Sequence, residues 1–131
     1  MNVHNTYSKV QKETISGRDL EARVLTKASA MLKRILEAPA GSERDHTLNE
    51  GVRFNLRVWD VFQADWENPE CALAPNTRTD LLRLSVYVHK TSLEVLAYGA
   101  PEKINSLINI DDRLVAGLST PVPHPAEPAT A

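Results

Sequence analysis

Residues 76–98 carry apolar side chains almost all the way round a helix. At about 100° per residue, Leu81, Leu82, Leu84, Val86, Tyr87, Val88, Leu93, Val95, Leu96 and Tyr98 cover most of the circle. Charge within their span is confined to Arg83, Lys90 and Glu94, a strip roughly 40° wide. Such a helix must be enclosed by others or completed by a partner. A second helix is predicted over 46–67. There Trp59, Phe62 and Trp66 fall within about 60° of each other, and Val52, Phe54, Leu56, Val58 and Val61 widen the apolar arc to roughly 220°. One-sided packing needs only about 100°.

Before these, Leu20, Val24, Ala28, Met31 and Ile35 recur at helical spacing. Ser16 followed by Asp19 reads as the start of that helix, and Pro39-Ala40-Gly41 ends it. A weaker pattern suggests a short helix over Tyr7–Lys12, and Gly41–Asp45 reads as a flexible link. Asn68-Pro69 opens a loop that runs to Pro75, which fits the first turn of the helix after it. Gly99 and Pro101 mark the next break. Ile104, Leu107, Ile108, Leu114, Val115 and Leu118 form a last stripe, with Asn109-Ile110-Asp111-Asp112 reading as an internal cap within it. Pro121, Pro123, Pro125 and Pro128 exclude regular structure beyond it. No stretch alternates as a strand would. The expectation is all-α: a bundle of about four to five helices in one domain over 1–118, followed by a disordered Pro-rich tail over 119–131.

Composition narrows the function classes. A net charge of −2 provides no overall field towards nucleic acid or membrane. Cys71 is the single cysteine, so no internal disulfide forms, and no apolar run approaches the roughly 20 residues of a membrane span. The start, Met1-Asn2-Val3-His4-Asn5, lacks a signal-peptide hydrophobic stretch. The reading is a cytoplasmic protein.

Candidate chemistry is sparse. His4, His46, His89 and His124 are scattered, with no second ligand at metal spacing. Asp111 and Asp112 are adjacent, so on a helix they point apart, and they read as cap and surface residues. No glycine-rich phosphate loop or nucleophile elbow is present. The chain is read as having no catalytic residue, cofactor or metal site, and as not being an enzyme. Residues 1–37 hold 7 Lys/Arg against 4 Asp/Glu, but only Tyr7 accompanies them as a stacking platform. A solvated helix face accounts for that charge better than RNA binding does.

Together the segments resemble the FlaF family of flagellar biosynthesis regulators. Tyr7 and Leu20-Glu21-Ala22-Arg23-Val24-Leu25 match its tyrosine and Leu-Glu-x-x-x-Leu helix, and Asn55-Leu56-Arg57-Val58-Trp59 matches its Asn-x-x-x-Trp helix. Asp65, Asn68 and Leu73 follow at the family's distances, then Pro75, Arg78, Leu81, Leu82, Leu84 and Val88. Leu107-Ile108-Asn109-Ile110-Asp111 with Gly117-Leu118 fits a Leu-Ile-Asp-Ile-Asn … Gly-Leu signature, with the acid and amide exchanged. Ala74 separates Leu73 from Pro75 where the family usually joins them, and Tyr87 stands where tryptophan is common. The resemblance implies a non-enzymatic partner of flagellin that resembles a secretion chaperone, promotes flagellin synthesis and export, and acts opposite the regulator FlbT. Its alternative is a post-transcriptional regulator acting on flagellin mRNA or translation together with FlbT.

The excess apolar surface suits the amphipathic terminal segments of flagellin, and a homodimer is the plainer way to cover it. Helical angles nominate Phe54, Val58, Val61, Leu81, Val88, Leu107, Ile108 and Leu118 as partner contacts. On that reading, aspartate at Val61 or Val88 leaves the monomer folded and abolishes binding.

Overall fold

In the computed structural model the described residues are 17–119. Among them four helices run in sequence: α1 (Gly17–Glu37), α2 (Ser42–Glu67), α3 (Pro75–Tyr98) and α4 (Pro101–Ser119). No strand occurs among the described residues. The short helix expected at Tyr7–Lys12 and the Pro-rich tail lie outside them. The fold is the expected all-α bundle.

The breaks have local causes. α1 carries Asp19 in its first turn and Arg34 in its last, each matched to the sign of the helix dipole there. Gly41 turns the chain at φ 108°, a conformation open to glycine, and α2 begins immediately after it. α2 therefore starts at Ser42, four residues before the expected start, and the supposed link Gly41–Asp45 mostly belongs to the helix. Pro75 opens α3 at its first turn. Gly99 closes it in the left-handed conformation at φ 68°, its N–H donating to Val95 O at 2.6 Å. α4 is continuous through 109–112. The expected internal cap is absent because Asp111 points inward and does not bond the backbone.

Short connections at 38–41, 68–74 and 99–100 make successive helices neighbours. α1 packs most extensively on α4 and next on α2, whereas α3 rests on α2 and only lightly on α4. The core draws Leu25, Leu32 and Ile35 from α1, Val52, Trp59 and Phe62 from α2, Val88 and Val95 from α3, and Ile104 and Leu107 from α4. Trp59 meets Phe62 and Trp66 edge-on, at centroid distances of 6.4 and 5.8 Å. These are favourable geometries for aromatic pairs. Gly51 lets α2 approach α1 closely. A Cβ there would sit 3.1 Å from Met31 O.

The light cover on α3 has a visible result. Val86, Leu93 and Tyr98 are 65%, 62% and 83% exposed, and Tyr87 is also exposed. The all-round apolar pattern of residues 81–98 thus exceeds what α2 and α4 hide.

Candidate functional site

A cleft of about 390 Å³ opens where the start of α1, the end of α2, the 68–74 loop and the last turns of α4 converge. Its apolar wall consists of Phe62, Trp66, Leu73, Leu81, Leu114 and Leu118, and its rim carries Arg18, Glu21, Asp65, Asn68 and Glu70. A concave apolar surface with a few polar groups at its edge is the usual character of a binding site, and the volume lies in the roughly 300–1,000 Å³ range of such sites.

Hydrogen bonds fix the walls. Arg18 donates through Nη2 to Gly117 O at 2.8 Å and through Nε to Leu118 O at 3.3 Å, joining the start of α1 to the end of α4. Both acceptors are last-turn carbonyls, which a helix leaves without internal partners. Arg78 does the same for α2, donating through Nε to Trp66 O and through Nη2 to Glu67 O at 3.0 Å. In the loop, Glu70 N–H donates to Asn68 Oδ1 and Cys71 N–H to Asn68 O, both at 2.9 Å. This Asx-type turn holds Cys71 and Leu73 at the mouth of the cleft. Two arginines and one asparagine therefore brace the site, and none of them depends on a ligand to hold its position.

A second polar feature lies inside the bundle. Trp59 Nε1 donates to Asp111 Oδ1 at 2.9 Å, and Asp111 is fully buried. Burial pushes its carboxyl up to about 7, against the opposing effect of the Trp59 bond and with a further push from the Asp112 charge. Asp111 Oδ2, both side-chain polar atoms of Asn55, and Ser92 Oγ are buried without a hydrogen bond. Asp112 turns outward instead, accepting from Ser29 Oγ at 2.6 Å and pairing with Lys33 at 3.2 Å. The expectation of two cap or surface carboxylates therefore holds for Asp112 and fails for Asp111. The spacing Ile104, Leu107, Ile108, Asp111 placed Asp111 on the apolar stripe, a signal that could have been read. Among the described residues no group of three His, Cys, Asp or Glu side chains is arranged to hold a metal, and no helix is long and apolar enough to cross a membrane.

The nominated contact residues divide. Leu81 and Leu118 line the cleft. Val61 is 61% exposed on α2. Half-buried Phe54 lies apart from the cleft, with Lys27 Nζ 5.0 Å and the Arg57 guanidinium 5.8 Å from its ring centre. Val58, Val88, Leu107 and Ile108 belong to the core and are not presented on the surface. Helical angle alone misplaced them, because it gives the width of an apolar arc but not which part of it the neighbouring helices cover. Large apolar residues that the angles did not nominate but the fold brings to the site are Phe62, Trp66, Leu73 and Leu114. Leu73 sits in a loop, where helical periodicity carries no information.

A family model described as flagellar protein FlaF matches residues 3–118. No match was found among curated proteins or among solved structures. The matched span takes in all of α1 to α3, nearly all of α4 and every residue lining the cleft, and the chain belongs to the FlaF family of flagellar proteins.

Proposed function

We propose that this FlaF-family protein acts in the cytoplasm as a non-enzymatic partner of flagellin, seating an amphipathic terminal segment of the unassembled subunit in the cleft. Flagellin synthesis and export would be favoured because the bound segment is kept from premature association, in opposition to FlbT. The observation that carries this reading is an apolar cleft that the described residues leave open beside the buried aromatic cluster. Ordering a client segment costs about 2–5 kcal/mol. Two large apolar anchors, at about 1.5–3 kcal/mol each when fully buried, would offset that cost. Phe62, Trp66, Leu81 and Leu118 offer the surface to receive them.

The test is co-purification of tagged protein with flagellin from the cell, followed by titration with purified monomeric flagellin. Leu73→Asp combined with Leu118→Asp should weaken binding at least about tenfold while helicity is kept, since each places a charge on the wall of the cleft. Native-like binding by that variant would remove the cleft from the account.

A second reading, control of flagellin mRNA or translation, draws on one observation: Lys27 and Arg57 both approach the Phe54 ring. Phosphate contacts make affinity fall steeply with salt, whereas apolar docking changes little. A steep salt dependence, with RNA captured through Phe54, would favour this reading.

A further inference from the structure

The polarity of α3 is inverted relative to a helix that lies on a core and faces water. Of its five buried side chains, Ser85, Thr91 and Ser92 are polar, and only Val88 and Val95 are apolar. Its outer side carries Val86 and Leu93, which are 65% and 62% exposed. A helix whose outer side stayed in water would show the opposite arrangement. We propose that this outer side of α3, with the adjoining edge of α2, docks a second copy of this chain. The face shares no residue with the cleft lining and does not rest on the cleft's role.

The spacing on α3 has the form of a helix-pairing seam. Leu82, Val86, His89, Leu93 and Leu96 follow at steps of four, three, four and three, within about 80° of arc. α2 flanks the seam on one side, through Gln63 bonded to Ser85 and Asp60 bonded to His89. Leu82, His89 and Leu96 are therefore half-buried, while Val86 and Leu93 stand clear. His89, the polar member, is held by Asp60 Oδ1 at 2.5 Å and Ser85 O at 2.8 Å. A single polar residue in such a seam fixes register.

Charge selects the occupant. A groove of about 550 Å³ runs between the two helices, with Asp60, Ala64 and Glu67 on its α2 wall and Val86 and Lys90 on its α3 wall. Arg83 stands two turns before Lys90 on the same side and is also exposed. The α2 edge thus carries acids and the α3 edge bases. A two-fold axis lays the α3 edge of each copy on the α2 edge of the other, so every opposite-charge contact is made twice. Pairing of two α3 edges would instead bring the bases together. An unrelated segment must supply both signs in the right order, whereas a second copy does so by symmetry. Val86 and Leu93 of both copies leave water in the same step.

The experiment is sedimentation equilibrium of the full chain from about 1 to 100 μM, with circular dichroism checking helicity in every variant. A dimer that grows with concentration is expected, and a monomer throughout would overturn the inference. Val86→Asp with Leu93→Asp, at side chains already exposed, should keep the fold and raise the dissociation constant at least about tenfold. Pairing of native strength in that variant would place the interface elsewhere and overturn the inference. Two charge-reversed chains test the edges independently: one carries Arg83→Glu and Lys90→Glu, the other Asp60→Lys and Glu67→Lys. Each alone should stay monomeric where the native chain pairs, and an equimolar mixture should pair again. A mixture that stays monomeric would overturn the arrangement. The cleft variant, Leu73→Asp with Leu118→Asp, should dimerise as the native chain does, so failure of the client reading and failure of this one are separate results. Loss of flagellin binding in Val86→Asp with Leu93→Asp, beside a native chain that never pairs, would assign the face to the client and overturn the dimer.

Discussion

Replacing Asp111 by asparagine tests the interior of this bundle, because the change keeps the shape of the side chain and removes its titration. Asp111 Oδ1 accepts the Trp59 N–H, and an asparagine oxygen can accept the same bond. Moving the carboxyl from its ordinary 3.8 to about 7 corresponds, at 1.36 kcal/mol per unit, to about 4 kcal/mol. The sign follows from proton binding. Below about pH 4 both folded and unfolded chains hold the proton, and the carboxyl imposes no penalty. Between about pH 4 and 7 the unfolded chain releases it first, so native stability falls as pH rises, and the loss is complete above about 7. Asparagine does not titrate, but its amide N–H groups would be buried without acceptors, a fixed cost of about 1–3 kcal/mol. Asp111→Asn should therefore be more stable than the native chain at about pH 8 and less stable at about pH 4, with the difference swinging by about 3–4 kcal/mol. Urea unfolding followed by far-UV circular dichroism across that range measures it. A difference that stays flat with pH would mean that Asp111 ionises normally in the folded chain, and the dry, buried setting described here would be wrong.

Other expectations are sharper for being smaller. Trp59→Phe takes away the donor to Asp111 and should cost about 1–3 kcal/mol in urea unfolding at neutral pH, and less in the Asp111→Asn background. Gly51→Ala forces a Cβ to within 3.1 Å of Met31 O and 3.2 Å of Ile35 Cδ1. Overpacking of about 1–3 kcal/mol should outweigh the helix-propensity gain of about 1, giving a lower melting temperature. Val88→Asp puts an unpaired charge at a side chain that is 1% exposed and should unfold the bundle. Val61→Asp, at a side chain 61% exposed, should change stability by no more than about 0.5 kcal/mol. Circular dichroism of the two variants side by side would expose an error in the assignment of core and surface.

The helices were legible because their punctuation is strong: Pro39, Gly41, Pro69, Pro75, Gly99 and Pro101 mark breaks that the structure places at or beside the same positions. The surplus of apolar surface was legible too, from arcs wider than a single neighbour can cover. The location of that surplus was not. Val88 and Val86 are two residues apart on one helix, yet Val88 is in the core and Val86 is 65% exposed. That difference arises from α3 leaning on α2 and barely on α4, a tertiary fact with no local signature. The cleft was half legible. Leu81 and Leu118 were reachable from periodicity, whereas Leu73 and Cys71 owe their place to the turn at Asn68, and Arg18 to carbonyls about a hundred residues away in sequence. Asp111 was misread because charge was weighed before position. Its stripe placed it inside, and Trp59 supplies a partner from another helix.

The most direct test of the central claim is calorimetric titration of purified monomeric flagellin into the full-length protein at several temperatures. Burial of apolar surface in the cleft predicts binding with a clearly negative heat-capacity change, nearly unaffected by salt and lost in the Leu73→Asp, Leu118→Asp variant. Binding without a heat-capacity change, or binding that the variant retains in full, would contradict an apolar cleft as the seat of the client.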